Sequence, residues 1–219
     1  MLTQEDRDFL AQKGISEEKL QQQLESFKTG FPFLRLSAAA SPGKGITVPT
    51  EEERAGYLQT WDNYLQGASR VVKFVPASGA ASRMFKDLFE FLDGPADKPA
   101  TPFIEQFFAH IHYFAFAKEL DAALIDLEGR SIDQLVEAGQ YKTVIDYLLS
   151  AKGLAYGKLP KGLLLFHNYP GGPRTPMEEH LVEGALYAGG RDGRVNVHFT
   201  VSPEHRELFQ TLVAEKAAE

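Results

Sequence analysis

No cysteine occurs among the 219 residues. That removes disulfides, thiolate metal ligands and cysteine nucleophiles together, and it fits a reducing compartment. Long apolar runs are missing as well: none approaches the ~20 residues needed to cross a bilayer. The opening MLTQEDRDFL carries early acids and no apolar stretch of the kind a secretory leader needs. A soluble, cytoplasmic protein is expected, with no membrane partner. Positive charge is in deficit, with 23 Lys and Arg against 30 Asp and Glu. A general nucleic-acid binder carries a basic excess, so no nucleic-acid partner is expected. A small anionic ligand stays open, because it needs only a local cationic site. What is present is 43% hydrophobic residues, ample for a core. The length allows one or two domains, and no internal repeat occurs.

The most informative stretch is residues 71–86, VVKFVPASGAASRMFK. Four of its first five residues are apolar, three of them β-branched, which suits a buried strand. A small-residue loop follows, Ala77, Ser78, Gly79, Ala80, Ala81 and Ser82, and Arg83 reads as the start of a helix. Strand, small-residue loop and helix N-terminus together form a frequent phosphate site, where bare N–H groups and the helix dipole meet the anion. The loop amides can hold a phosphate, and Arg83 can fork onto phosphate oxygens. The plain alternative for Arg83 is a surface ion pair.

Around this stretch the chain reads mainly as helix. Residues 3–13 and 16–28 form two short amphipathic helices broken at Gly14. Phe27, Phe31, Phe33, Leu34 and Leu36 make an apolar patch that needs cover. Residues 37–49 are a loop whose Gly-Lys-Gly lacks Walker spacing. A capping box at residues 50–53 opens a helix to about residue 66, with Tyr57, Trp61, Tyr64 and Leu65 as a core-facing stripe. Helices are expected over residues 83–92 and from Thr101-Pro102 to about residue 121, the latter rich in phenylalanine. His110 and His112 lie two apart there, which points them to different faces and away from a shared metal. Short helices follow near residue 131 and over residues 141–150. The apolar run after Pro160-Lys161 suits a short strand or an extended segment, and residues 168–175 a turn-rich loop. Thr175-Pro176-Met177-Glu178 is the strongest helix start in the chain. Residues 194–201 alternate as a strand, and a last helix follows Ser202-Pro203.

Two strands separated by helices read as part of a parallel α/β sheet. Three regions follow: an N-terminal helical extension (1–66), a partial α/β domain (67–86 and 154–219) and a helical insertion (87–153). Two strands are too few for a finished sheet, so the chain reads as an N-terminal part of something longer. A helical scaffold with an incidental loop would be favoured if residues 71–75 were not a central strand.

The loop residues 76–84 resemble, without a gap, the opening loop of sugar-nucleotide nucleotidyltransferases. Pro160-Lys161 with its apolar run, Glu179-His180 in the next helix, and the strand at 195–201 resemble later parts of that pattern. The resemblance implies a nucleotidyltransferase-like, Rossmann-like sheet. It also implies a nucleoside triphosphate at residues 77–83 and, in a complete enzyme, nucleotidyl transfer to a phosphorylated acceptor with Mg²⁺. Arg83 and Lys161 would be the catalytic cations, with Lys161 neutralising charge on the leaving pyrophosphate; the plain alternative is a solvated lysine. Four departures stand out. Ala81 replaces a glycine, Pro76 replaces an aliphatic residue, a long helical block intervenes before Pro160, and the family's metal-holding aspartate is not recognisable. A non-catalytic nucleotide-binding or interaction protein is the competing class. Residues 75–86 are also similar to a run in the bacterial domain-of-unknown-function family 4301, a resemblance covering nearly the whole chain.

Overall fold

The chain divides into two units, residues 1–55 and 56–219, and the computed structural model describes residues 2–216. In the first unit, capping dictates where helices begin. Thr3 accepts from the Asp6 amide while Asp6 returns a carboxylate to the Thr3 amide at 2.8 Å, opening α1 (Gln4–Gln12). Ser16 caps α2 (Glu17–Thr29). The Gly-Lys-Gly loop is a tight turn between the two-residue strands β1 (Ser41–Pro42) and β2 (Gly45–Ile46). Helix α3 (Glu51–Leu65) contains the boundary between the units. None of these three helices buries a side chain. Phe27, Phe31, Leu34 and Leu36 are exposed, and Phe33 is 99% exposed. The expected core-facing stripe on α3 is corrected: Tyr57, Trp61 and Tyr64 are exposed and Leu65 is half-buried. Periodicity marks an apolar face, but burial needs a packed partner as well. Trp61 and Tyr64 stack on each other at 5.7 Å instead.

The second unit is mixed α and β, and the described chain as a whole is roughly half helical. Its elements are β3 (Lys73–Pro76), α4 (Lys86–Asp93), α5 (Pro102–Ala109), α6 (Ala117–Glu128), α7 (Ile132–Glu137) and α8 (Tyr141–Leu149). They continue with β4 (His167–Tyr169), β5 (Gly172–Arg174), α9 (Pro176–Tyr187), β6 (Val197–Thr200) and α10 (Arg206–Lys216). Strands β3 and β6 pair in parallel with Val75 opposite Phe199, and each is the other's one partner among the described residues. The expectation of a buried strand needs correction: only Val75 is buried, while Phe74 stacks on His198 at 5.0 Å on the open face. A two-stranded ribbon has one packed face, so its side chains alternate rather than bury continuously. Residues 168–175, expected as a turn-rich loop, fall mostly within the antiparallel hairpin β4–β5, which runs from His167 to Arg174.

Two cores organise this unit. Val75, Ala77, Met177 and Phe209 bring the β3–β6 pair together with α9 and α10, joined by half-buried Leu181, Val197 and Phe199. The larger core runs from Ala81 through α4 to α8 and on to Tyr156 and Leu164. Residues 87–153 therefore share one interior with the loop and with the segment after residue 154. Leu120, Leu124, Leu135, Ile145 and Leu148 are fully buried there, and each such side chain contributes about 1.5–3 kcal/mol by burial.

The single helix expected over residues 102–121 is broken. Helix α5 stops at Ala109, a 3₁₀ turn occupies Ile111–Tyr113, Phe114 is extended, and α6 starts at Ala117. The break lets Ile111 and Phe116 reach the core while Phe114 turns toward a cavity. A straight helix cannot present phenylalanines on all sides to one interior.

Candidate functional site

Strand β3 delivers the small-residue loop to the C-terminal edge of the parallel pair. The Ala77 amide donates to the Thr200 carbonyl at 2.9 Å, closing that edge. Gly79 then accepts from the Lys161 amide at 3.0 Å, and Ala80 bridges Pro160. The Pro160-Lys161 pair is thus seated against the loop. Lys161 starts a 3₁₀ turn, Lys161–Leu163, after which Leu164 is extended. The run after Pro160-Lys161 is an extended segment rather than a strand.

These segments line a cleft of about 160 Å³ with Ala77, Gly79, Lys161, Met177, His180 and Phe199 among its walls. The Lys161 side chain is exposed and makes no hydrogen bond or ion pair among the described residues. Ser78 and Ser82 are also exposed and unpartnered, whereas Ala77 and Ala81 are buried. Gly162 sits where an added Cβ would approach the Phe209 ring at 3.0 Å, so its missing side chain lets α10 close under the cleft.

Arg83 is exposed and also unpartnered among the described residues, but it is not part of the cleft lining. The expected helix start at Arg83 is corrected as well. Residues 82–85 form a turn, and α4 begins at Lys86 without a side-chain cap. The helix whose first turn borders the cleft is α9, through Pro176 and Met177. Thr175 caps it, accepting from the Glu178 amide while its own amide donates to Glu178 at 2.7 Å. A helix N-terminus favours an anion; the one that borders the cleft is that of α9, whose first turn carries Glu178 and Glu179.

A polar network adjoins the cleft through His180. Nδ1 of His180 lies 2.9 Å from Oε2 of Glu183, which also accepts from Lys73 Nζ at 2.6 Å and from the Tyr187 hydroxyl at 3.2 Å. Lys73 also contacts the Tyr187 hydroxyl and lies over that ring at 4.6 Å. Lys73, chiefly, and then His180 hold the Glu183 carboxyl down to about 2. Burial pulls the Lys73 ammonium down, yet its bonds to Glu183 and Tyr187 outweigh that and raise it. The network orients His180 with Nε2 left for another partner. The i, i+3 spacing of His180 to Glu183 is the sequence signal for this pair. His167 is likewise engaged, 2.8 Å from Glu179, which also accepts from Tyr169.

No carboxylate lines the cleft, and among the described residues no group of three His, Asp or Glu could hold a metal ion. Mg²⁺ requires oxygen ligands, usually one or two carboxylates, and these cleft residues do not provide them. No described helix is long and apolar enough to cross a membrane.

The architecture defines a helix-rich α/β protein in which a small-residue loop, a lysine and a helix N-terminus converge at the end of a parallel strand pair. The family described as Domain of unknown function (DUF4301) matches residues 3–219, and the chain belongs to that family. No curated protein and no solved structure matches it.

Proposed function

We propose that this protein binds a nucleoside triphosphate at the residue 77–83 loop, on a nucleotidyltransferase-like α/β frame. The observation that carries the reading is the bond between the Lys161 amide and the Gly79 carbonyl. It seats an unpaired lysine beside the small-residue loop although the two are far apart in sequence. The α9 N-terminus adds positive potential on the same side. In this reading the amides of Ser78, Gly79 and Ser82 receive phosphate oxygens. Lys161 neutralises the phosphate nearest the cleft, and Arg83 swings in from the loop edge to fork onto the outer phosphates. If nucleotidyl transfer occurs, a phosphorylated acceptor would attack the α-phosphate as pyrophosphate leaves, with Lys161 stabilising the departing charge. Mg²⁺ would then have to arrive held by the triphosphate, because the cleft offers it no carboxylate.

That missing carboxylate favours the second reading, a nucleotide-binding protein without transfer activity. Calorimetric titration with each of the four ribonucleoside triphosphates, with and without Mg²⁺, tests binding. Lys161→Ala is expected to weaken it by about tenfold or more, and Arg83→Ala by less. Unchanged affinity in Lys161→Ala removes the cleft from the proposal. Pyrophosphate release in the presence of sugar phosphates separates transfer from binding alone.

A further inference from the structure

A second cavity, of about 470 Å³, is lined in part by residues that follow the loop and the Pro160-Lys161 segment. Met84 and Phe85 follow Arg83, and Leu164 to Phe166 follow Lys161. No residue is shared with the cleft lining. Its walls are aromatic, and three of the rings lie in series. Phe107 and Phe114 stack at 5.3 Å and 27°, and Phe114 and Phe116 at 5.1 Å and 9°. Tyr156 meets Phe116 edge-on at 5.5 Å. The volume falls within the range of small-molecule sites, and flat rings in offset series suit a flat ring in the ligand.

Charge narrows the ligand further. No Lys, Arg, Asp or Glu lines the cavity, so an ionised ligand would enter without a counter-charge. The one deeply buried polar side chain on the wall is Tyr156, 5% exposed. Its hydroxyl accepts from the Leu165 amide at 3.1 Å and donates to nothing among the described residues. Burial pushes this phenol up to about 12, so the hydroxyl keeps its proton at neutral pH and has a hydrogen bond left to give. At the exposed side, His110 Nδ1 lies 2.9 Å from the Gln106 carbonyl.

We propose that this cavity binds a neutral small molecule carrying a flat aromatic ring and a hydrogen-bond acceptor, such as an aryl ketone, with the Tyr156 hydroxyl as the donor. The site stands independently of the nucleotide reading, since no cleft residue contributes to it.

The test uses the full chain and prodan, a neutral naphthyl ketone whose emission shifts to the blue in a dry site. Saturable binding of one prodan per chain is expected. Gln106→Trp, at an exposed position of the lining, should block entry and cut affinity at least about tenfold. Tyr156→Phe keeps the ring and removes the donor, so it should weaken prodan by roughly five- to tenfold. The same change should leave 2-ethylnaphthalene, which has no acceptor, unaffected as a competitor. Circular dichroism of both variants checks that the fold is kept, and Gln106→Trp keeps the proposal testable if Tyr156→Phe unfolds. Equal prodan binding in Gln106→Trp would place the dye elsewhere, for instance on the exposed residues 27–36, and overturn the proposal. Displacement by methyl laurate but not by 2-acetylnaphthalene would overturn the aromatic ligand in favour of an acyl chain.

Discussion

Ala81 stands where a resembling phosphate loop has glycine, and its burial supplies the reason. Its methyl is 1% exposed and belongs to the larger core beside Phe85 and Leu88. The residue packs the floor of the loop, while Ser78, Gly79 and Ser82 remain open to a ligand. The composition of the loop was legible; which of its residues turn inward was not, because that depends on helices far away in the chain. Glu183 shows the same limit. Its bonds to His180 and Tyr187 lie within α9, but nothing local shows that Lys73 reaches it from another element. Its carboxyl is held at about 2 against an ordinary 4.5. A depressed carboxylate stabilises the fold above its ordinary range and loses that contribution as pH falls through its folded value. Glu183→Gln should therefore lower the melting temperature at pH 7, where Lys73 loses its carboxylate partner. The cost is on the order of 1–2 kcal/mol, since the half-exposed carboxylate is screened by solvent. The gap to the wild type should close as pH falls from about 4.5 toward 2. Thermal melts of both proteins across that interval check it, and a constant gap would assign the loss to packing.

At the scale of elements, caps were easier to read than breaks. Ser16, Thr101, Ser131 and Thr175 all cap helices in the structure, because capping is local chemistry between residues three apart. The break between α5 and α6 has no such mark. Its phenylalanines suit helix or loop, and the choice follows from how many of them one interior can accept. The end of α8 is set by close approach. The chain folds back so that the Leu154 amide donates to the Tyr147 carbonyl at 2.8 Å and the Tyr156 amide to Leu148 at 3.0 Å. Any Cβ at Gly153 would fall inside the van der Waals limit of the Tyr147 carbonyl oxygen. That contact is with backbone, which cannot yield cheaply. Gly153→Ala should destabilise the protein by about 2 kcal/mol or more, read as a lower denaturant midpoint with an unchanged slope. Because this turn carries Tyr156, the variant should also weaken prodan binding.

For the molecule as a whole, both cores draw on residues 75–213 alone, and no residue of 2–55 is buried. Brief chymotrypsin digestion is expected to cut first among Phe27, Phe31 and Phe33. A chain starting at Thr50 should then unfold cooperatively, with a melting temperature within a few degrees of the intact protein. Loss of cooperativity would mean that the first unit contributes to the cores. Membership of the α/β class, the parallel strands around residues 75 and 199, the loop after the first strand and the capped start of α9 were all readable along the chain. Each rests on residues within a few positions of one another, where propensity and hydrogen-bond geometry act directly. The seating of Lys161 against Gly79, the helix that faces the cleft, the burial of Ala81 and the aromatic cavity were decided by tertiary structure. Those features depend on contacts between distant segments, and such contacts form only when the helical block closes into one interior with the loop.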